Sequence, residues 1–174
     1  MRIFFTADNH FGHKNIISHC NRPFRTSTDM DMAMIERWNS VVRAKDTVYH
    51  LGDFSFHEAS VNETILKALN GKKILIRGNH DKKQTLRLRG WSAVHDYFEM
   101  RQGKHFLAMF HYPMASWNRS YHGSVHLHGH THGNFKPARW GDGSPQKVLD
   151  VGVDTHNFTP WSWDEIETYM NSLV

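Results

Sequence analysis

The sequence predicts an α/β domain whose mixed β-sheet structure is flanked by helices, and three observations support this. The apolar runs at Thr47–Leu51 and Ile74–Ile76 are separated by a helical segment, a spacing that implies a right-handed crossover and parallel pairing. Two later strand-like runs meet at Gln102-Gly103, which predicts an antiparallel hairpin. An amphipathic helix beginning near Ser162 closes the chain.

The N-terminal half alternates short strands with two amphipathic helices. Arg2–Ala7 is rich in β-forming residues and predicts the first strand. Ser27–Val42 predicts a helix in which Thr28 and Asp31 form a capping box. The predicted buried faces are Met34, Ile35, Trp38, Val41 and Val42 in this helix, and Val61, Ile65, Leu66 and Leu69 in the next. Asn70-Gly71 ends the second helix.

The C-terminal half contains the hairpin, two further strands and the closing helix. The predicted strands are Ala93–Met100, Lys104–His111, Ser124–Leu127 and Val148–Val153. Residues 134–147 are rich in glycine and proline, which predicts a loop. Ser162 and Glu165 form a predicted capping box. The buried face of the last helix is predicted to be Ile166, Tyr169, Met170 and Leu173.

Composition indicates one domain in a reducing compartment. A chain of 174 residues with 39% hydrophobic residues can bury one core, so we predict a single domain over residues 1–174. No apolar run approaches a membrane span, and the N-terminal run meets Asp8 too early for a signal peptide, so we expect a cytoplasmic protein. The single cysteine, Cys20, excludes an internal disulfide. A net charge of +4 from scattered residues favours anionic ligands without requiring nucleic acid.

Polar residues follow several of the predicted strands. Gly78-Asn79-His80-Asp81 comes after one apolar run and Gly52-Asp53 after another, where α/β folds bind their ligands. Two further pairs lie two residues apart, and so on one side of an extended chain: Asp8 with His10, and His130 with His132. Asn79 offers a neutral amide oxygen to a metal, while His80 can stay free to handle a proton. The pattern predicts metal chemistry at the rim of the sheet.

Five blocks, in order along the chain, resemble the motifs of the calcineurin-like metallophosphoesterases. They are Asp8-Asn9-His10, Gly52-Asp53, Gly78-Asn79-His80-Asp81, His111 and Gly129-His130-Thr131-His132. The resemblance spans most of the chain, from the first strand to His132. It implies the fold of that family, an αββα sandwich of mixed sheets flanked by helices, but it says little about the substrate.

The resemblance also implies two metal ions that share Asp53. One ion would be held by Asp8, His10, Asp53 and His132, and the other by Asp53, Asn79, His111 and His130. Such mixed ligands suit two divalent transition-metal ions, namely Mn, Fe, Co, Ni or Zn, and we expect Mn to support activity in vitro. A metal-bound hydroxide would attack phosphorus in line while His80 protonates the leaving oxygen. Asp81 is expected to cap the following turn rather than to orient His80.

One departure from the family pattern bears on the substrate. Family members that act as protein phosphatases have G-D-x-x-D-R, whereas Phe56 and His57 occupy the last two positions here. We therefore expect a phosphodiesterase acting on a small phosphorylated or nucleotidic substrate. The alternatives are a non-catalytic metal-binding interaction module on the same fold, and a nuclease. The complete ligand set with His80 favours an enzyme, and a DNA nuclease would need a broad basic track and added domains. The sequence does not predict an oligomeric state.

Four residues are candidates for contact with the substrate, each with a simpler alternative. His13 either lines the site beside His10 or stabilises a turn. Arg77 either contacts phosphate or stays solvated. Trp117 and Arg119 lie in the loop after His111, where they either meet a base and a phosphate or hold the loop in place. The remaining histidines are predicted to be packing or surface residues: His19, His50, His57, His95, His105, His122, His126, His128 and His156.

Overall fold

Two β-sheets and five helices make up the fold in the computed structural model, which describes residues 1–173. The strands are β1 (Ile3–Thr6), β2 (Thr47–His50), β3 (Lys72–Ile76), β4 (Trp91–His95), β5 (Tyr97–Gln102), β6 (His105–Phe110), β7 (Val125–His128), β8 (Val148–Asp150) and β9 (Trp161–Ser162). The helices are α1 (Lys14–His19), α2 (Ser27–Val41), α3 (Ala59–Ala68), α4 (Lys83–Leu86) and α5 (Trp163–Ser172). Among these residues, no helix has the length and apolar character needed to cross a membrane.

The two sheets combine parallel and antiparallel pairing. The first has the order β4-β3-β2-β1-β9, with β1 to β4 parallel and β9 antiparallel to β1. The second has the order β5-β6-β7-β8, with an antiparallel β5–β6 hairpin and parallel pairs beyond it. The predicted α/β class with mixed sheets is confirmed. Because β1, β2 and β3 are parallel, the residues that follow them lie at the same edge of the first sheet.

The predicted strand Ala93–Met100 is wrong as a single element. Its first half belongs to β4 in the first sheet and its second half to β5 in the second sheet. The chain passes between the sheets at Asp96, where no glycine or proline marks a turn. The apolar alternation resumes directly after Asp96, so periodicity alone could not reveal the break.

Alternation along the strands divides the apolar residues between the two faces of the first sheet. In β1, Phe4 packs with helices α1 to α3, whereas Phe5 packs into the cluster between the two sheets. That second cluster also receives Trp163 and Ile166 of α5. The outer face of the second sheet is covered by the loops after β6 and β7, through a small cluster centred on Trp117. The core therefore consists of layers stacked on both faces of the first sheet.

The start of α2 corrects the predicted capping box of Thr28 and Asp31. The N-cap is Thr26, whose side chain accepts a hydrogen bond from a backbone amide of the first turn. Asp31 instead points inward, where it accepts from the backbone N–H of Gly12 and lies 2.7 Å from Nε2 of His57. Asp31 thus holds the loop after β1 rather than the end of its own helix.

Two predicted core positions on other helices are exposed. Val61 of α3 is 41% exposed and Tyr169 of α5 is 38% exposed, since each lies at the margin of its apolar stripe. The capping box of Ser162 and Glu165 is confirmed, with both of its hydrogen bonds present. Residues 134–147 form a loop with one isolated bridge, as predicted.

Candidate metal centre

Histidine and aspartate side chains gather where the parallel strands end. Three groups of three residues have ligand atoms within 4.8 Å of one another, and two of them lie directly at the strand ends. Site A consists of Asp8, His10 and His132, and site B consists of Asp53, His111 and His130. Residues more than a hundred positions apart in the sequence are therefore brought together in the way that the strand-end pattern predicts.

Asp53 connects the two sites. Its Oδ2 lies 3.5 Å from Nε2 of His10 in site A and 3.5 Å from Nε2 of His111 in site B. Its Oδ1 accepts a hydrogen bond from the backbone N–H of His80. One carboxylate oxygen thus faces both sites. Asn79 joins site B, because its Oδ1 lies 3.0 Å from Nε2 of His111.

The backbone at these positions is strained. Five of the candidate ligands adopt left-handed conformations that non-glycine residues rarely use: Asp8 (φ 58°), His10 (φ 51°), Asp53 (φ 58°), His130 (φ 70°) and His132 (φ 48°). Conformations of this kind cost about 1–3 kcal/mol each and are found where surrounding structure enforces them, often at functional sites. The strain is consistent with a site whose geometry is held for function.

Two motif glycines make room for the carboxylates. A Cβ on Gly78 would collide with Oδ1 of Asp53, and a Cβ on Gly129 would lie 2.6 Å from Oδ2 of Asp8. Only glycine allows the backbone to approach these side chains so closely. The glycines of the sequence blocks therefore have a steric reason for their positions.

Site A contains buried polar atoms that lack partners. Among residues 1–173, Oδ1 of Asp8 and Nε2 of His10 are two of four buried side-chain atoms without a hydrogen bond. Burial raises the pKa of Asp8 to about 8 and lowers the pKa of His10 to about 2. A divalent cation would supply the missing partner for both atoms and the missing countercharge for Asp8. The donor set therefore fits a metal ion.

The pKa of Asp53 is shifted in the opposite direction to that of Asp8. Burial alone would raise the pKa of Asp53, but the hydrogen bond and charge of His111 outweigh it and lower this pKa to about 2. Burial would lower the pKa of His111, but Asp53 raises it. Asp53 is thus held in its ionised form, the form in which a carboxylate can bind a metal ion.

Hydrogen bonds determine which histidine nitrogen faces each site. Nδ1 of His111 lies 2.7 Å from the backbone oxygen of Leu51 and must donate to it, so Nε2 is the nitrogen that faces Asn79 and Asp53 in site B. Nδ1 of His132 lies 2.7 Å from Oδ2 of Asp154, so Nε2 is its free nitrogen. Burial would lower the pKa of His132, but the hydrogen bond to Asp154 raises it.

Sequence reasoning missed Arg22 and Asp154. The buried guanidinium of Arg22 donates to both carboxylate oxygens of Asp154 and to the backbone oxygens of Asp8 and Asn9. Arg22 and Asp154 are separated by 132 positions, and neither lies in a local motif that would connect them. No signal in a single sequence could have paired them.

His80 lies beside the two sites but belongs to neither group. Its side chain is 47% exposed, and its Nε2 is 4.0 Å from Oδ2 of Asp53. The ring of Phe56, which occupies the aspartate position of the protein-phosphatase motif, has its centroid 5.1 Å from that of His80. Phe56 also stacks on His13 at 4.0 Å, and His13 contacts His10 at 5.4 Å. His80 and His13 therefore border the open side of the centre.

Asp81 supports the loops at the strand ends. Its carboxylate accepts hydrogen bonds from the backbone amides of Asp53, Phe54 and Gly78. These three bonds hold the loops after β2 and β3 together. The role of Asp81 is thus structural, as expected, but Asp81 joins two loops rather than capping the turn that follows it.

The other candidate substrate contacts differ in position. Arg77 pairs with Asp96 at 3.0 Å and lines a groove of about 320 Å³ that also includes Asn79 and Tyr112. Trp117 is only 7% exposed, and its Nε1 donates to the backbone of the same loop. Arg77 is therefore placed beside site B, whereas Trp117 is placed in the packing of its own loop.

The phosphate contact expected of Arg119 stays a prediction, and the position of its side chain gives that prediction no support. Its guanidinium lies 5.7 Å from the ring centroid of Phe106, which precedes His111 by five positions in β6 and its extension. At the rise of a β-strand, those positions correspond to roughly 16 Å along the sheet. The structure therefore separates Arg119 from the metal centre.

Comparison with known proteins agrees with these features. Residues 1–140 match the family profile described as the calcineurin-like phosphoesterase superfamily domain. An uncharacterized protein of Methanocaldococcus jannaschii is 36% identical over 167 residues, covering 95% of this chain and 89% of that protein.

Solved structures give the same result for the fold. A protein of unknown function from Aquifex aeolicus has a TM-score of 0.75 at 25% identity, covering 97% of this chain and 98% of that one. A nuclease of Pseudomonas putida has a TM-score of 0.51 at 21% identity, covering 86% and 74% of the two chains, and supports the fold alone. On the family profile, the ligand blocks and this architecture, the chain belongs to the calcineurin-like phosphoesterase superfamily.

Proposed function

We propose that this protein is a phosphodiesterase that uses two divalent transition-metal ions held at sites A and B. The observation that carries the proposal is the position of Asp53, whose Oδ2 lies 3.5 Å from a histidine of each site. When bound, two such ions supply positive charge to the phosphoryl group and acidify water for attack on phosphorus. Asp8, His10 and His132 would hold one ion, and Asn79, His111 and His130 the other, with Asp53 shared.

His80 is proposed as the general acid. It is exposed enough to meet a substrate, and its backbone N–H is fixed by Oδ1 of Asp53. Because its ring packs against Phe56 rather than an aspartate, it has no carboxylate partner of the protein-phosphatase kind. Its part in the reaction is to donate a proton to the leaving oxygen.

The surroundings of the centre favour a diester over a monoester. A monoester carries two negative charges near neutral pH, and His57 stands where the protein-phosphatase motif has the arginine that contacts phosphate. The guanidinium of Arg77 is already paired with Asp96. Tyr112, whose ring lies 4.6 Å from that of His130, gives the groove beside site B an aromatic wall. A diester with an organic or nucleotidic substituent therefore suits the centre.

The proposal is tested by a metal-dependence screen. The metal-free protein is assayed with Mn²⁺, Co²⁺, Ni²⁺, Zn²⁺ and Mg²⁺ on bis(4-nitrophenyl) phosphate and on 4-nitrophenyl phosphate. We expect hydrolysis with a transition metal, Mn²⁺ in particular, with the diester cleaved faster, because mixed imidazole and carboxylate ligands suit these ions. Activity that survives complete chelation would contradict the metal-dependent mechanism, and a faster monoester reaction would contradict the diester assignment.

A second expectation concerns the loop after His111. Trp117→Ala should lower the melting temperature, at a cost of about 3–5 kcal/mol if the cavity does not collapse, because the indole is buried. Its activity on a nucleotidic and on a simple aryl diester should fall equally. Arg119→Ala, the matched surface variant in the same loop, should change neither property. A loss restricted to the nucleotidic substrate would restore the base-recognition hypothesis.

A further inference from the structure

A buried ion pair lies directly behind site A. Nε and Nη2 of Arg22 donate to Oδ1 and Oδ2 of Asp154, each at 2.8 Å. The guanidinium also donates to the backbone oxygens of Asp8 at 2.7 Å and Asn9 at 2.9 Å. Its side chain is fully buried. Arg22 therefore fixes both the carboxylate of Asp154 and the backbone segment that presents Asp8.

The carboxylate of Asp154, held by Arg22, in turn contacts the candidate metal ligand His132. Oδ2 of Asp154 lies 2.7 Å from Nδ1 of His132, and a carboxylate held by a guanidinium can only accept there. The proton of neutral His132 is thus kept on Nδ1, which leaves Nε2 as the nitrogen that could bind a metal ion together with Asp8 and His10. Carboxylates in this position behind a metal-binding histidine fix its tautomer and orientation.

Site B is supported differently. Nδ1 of His111 bonds to the backbone oxygen of Leu51, which no side-chain substitution removes. Asn79 approaches Nε2 of the same histidine from the other side. The orientation of a ligand histidine therefore depends on an ionic side-chain pair in site A and on the main chain in site B.

Cys20 lies in the same region. Its Sγ is within 4.8 Å of ligand atoms of His132 and Asp154. Both oxygens of Asp154, however, already accept hydrogen bonds from Arg22. The carboxylate therefore acts as an acceptor within a pair rather than as a ligand for a further cation.

We propose that Arg22 and Asp154 are positioning residues that set the metal affinity of site A independently of site B. The inference rests on the metal centre in the proposed function but not on its substrate. It predicts that substitutions at residues other than the ligands can lower the metal affinity of one site and leave that of the other unchanged. Loss of such a supporting carboxylate typically weakens metal binding 10- to 100-fold.

The test is calorimetric titration of the metal-free protein with Mn²⁺. In Asp154→Asn, we expect one binding step to weaken about 10- to 100-fold and the other to keep its affinity. In a His132→Ala background, Asp154→Asn should cause no further weakening, because Asp154 acts through His132. Equal Mn²⁺ binding by the wild type and Asp154→Asn would overturn the proposal, as would equal weakening of both steps.

Two further variants separate positioning from folding. Arg22→Lys keeps the charge but cannot bond both oxygens of Asp154 in the same fork geometry, so it should weaken the same step. Glu167→Gln is the matched control, since it alters a His–carboxylate contact of 2.8 Å with His105, which belongs to neither site. It should leave both steps unchanged, and a similar loss in this control would overturn the proposal.

Melting temperatures measured in chelator show whether each variant is folded without metal. If Asp154→Asn does not fold, Arg22→Lys carries the same expectation, and normal Mn²⁺ binding by that variant overturns the proposal. A protein that binds two Mn²⁺ ions but hydrolyses no phosphodiester would refute the proposed function and leave this inference intact. Mn²⁺ binding and hydrolysis therefore report on the two proposals separately.

Discussion

Replacing Asp53 with alanine is expected to reduce phosphodiester hydrolysis to background and to remove bound metal from both sites. The reason is geometric, because Oδ2 of Asp53 lies 3.5 Å from His10 and from His111, and so one deletion affects both sites. The variant also removes the negative charge that would partly neutralise the ions. Turnover with Mn²⁺ and metal content after dialysis measure the two effects.

Folding must be checked separately for this variant, since Oδ1 of Asp53 also fixes the backbone of His80. Asp53→Asn keeps the shape and one acceptor oxygen, and it should be inactive as well. Asp142→Ala removes an exposed carboxylate that contacts Ser144 and belongs to neither site, and it should behave like the wild type. An Asp53→Ala protein that retains its full metal content would show that Asp53 is not shared between two ions.

The strand-end pattern predicts that the side chains of the candidate ligands meet, and the structure brings most of them together. Asp8, Asp53 and Asn79 each follow a short apolar run, and parallel pairing brings such ends to one edge. The contacts that hold these side chains in place do not follow from this pattern. The spacing of Thr28 and Asp31 predicts a capping box, but Asp31 contacts His57 instead. A local spacing rule cannot predict this contact, because His57 lies 26 positions away.

Other features of the fold also could not be predicted from the sequence, each for a physical reason. The break at Asp96 is not marked by a glycine or a proline, and the chain changes sheets through a single bend residue. Val61 and Tyr169 fit the helical period, but periodicity defines a stripe without fixing which of its margins is covered. The position of Arg119 in the loop after His111 predicts that it lies near the metal centre. In the structure its guanidinium contacts Phe106, which lies further back along β6.

His80→Ala is expected to separate chemistry from metal binding. His80 lies in neither three-residue group, so the variant should keep the metal content of the wild type. Its turnover should fall by about 10²- to 10⁴-fold, the usual contribution of a general acid. Turnover with saturating Mn²⁺ and metal content after dialysis test this expectation, and His19→Ala serves as the control because it removes another exposed histidine.

The expected loss of turnover in His80→Ala depends on the basicity of the leaving group. A 4-nitrophenolate leaves readily without a proton, whereas the alkoxide released from a dinucleotide is far more basic and depends on protonation. The loss in His80→Ala should therefore be larger on the dinucleotide than on bis(4-nitrophenyl) phosphate. An equal loss on both substrates would indicate that His80 stabilises charge or orients the substrate instead. Loss of metal to the extent expected for Asp53→Ala would contradict the assignment, because it would show that the His80 side chain is a ligand or holds one in place.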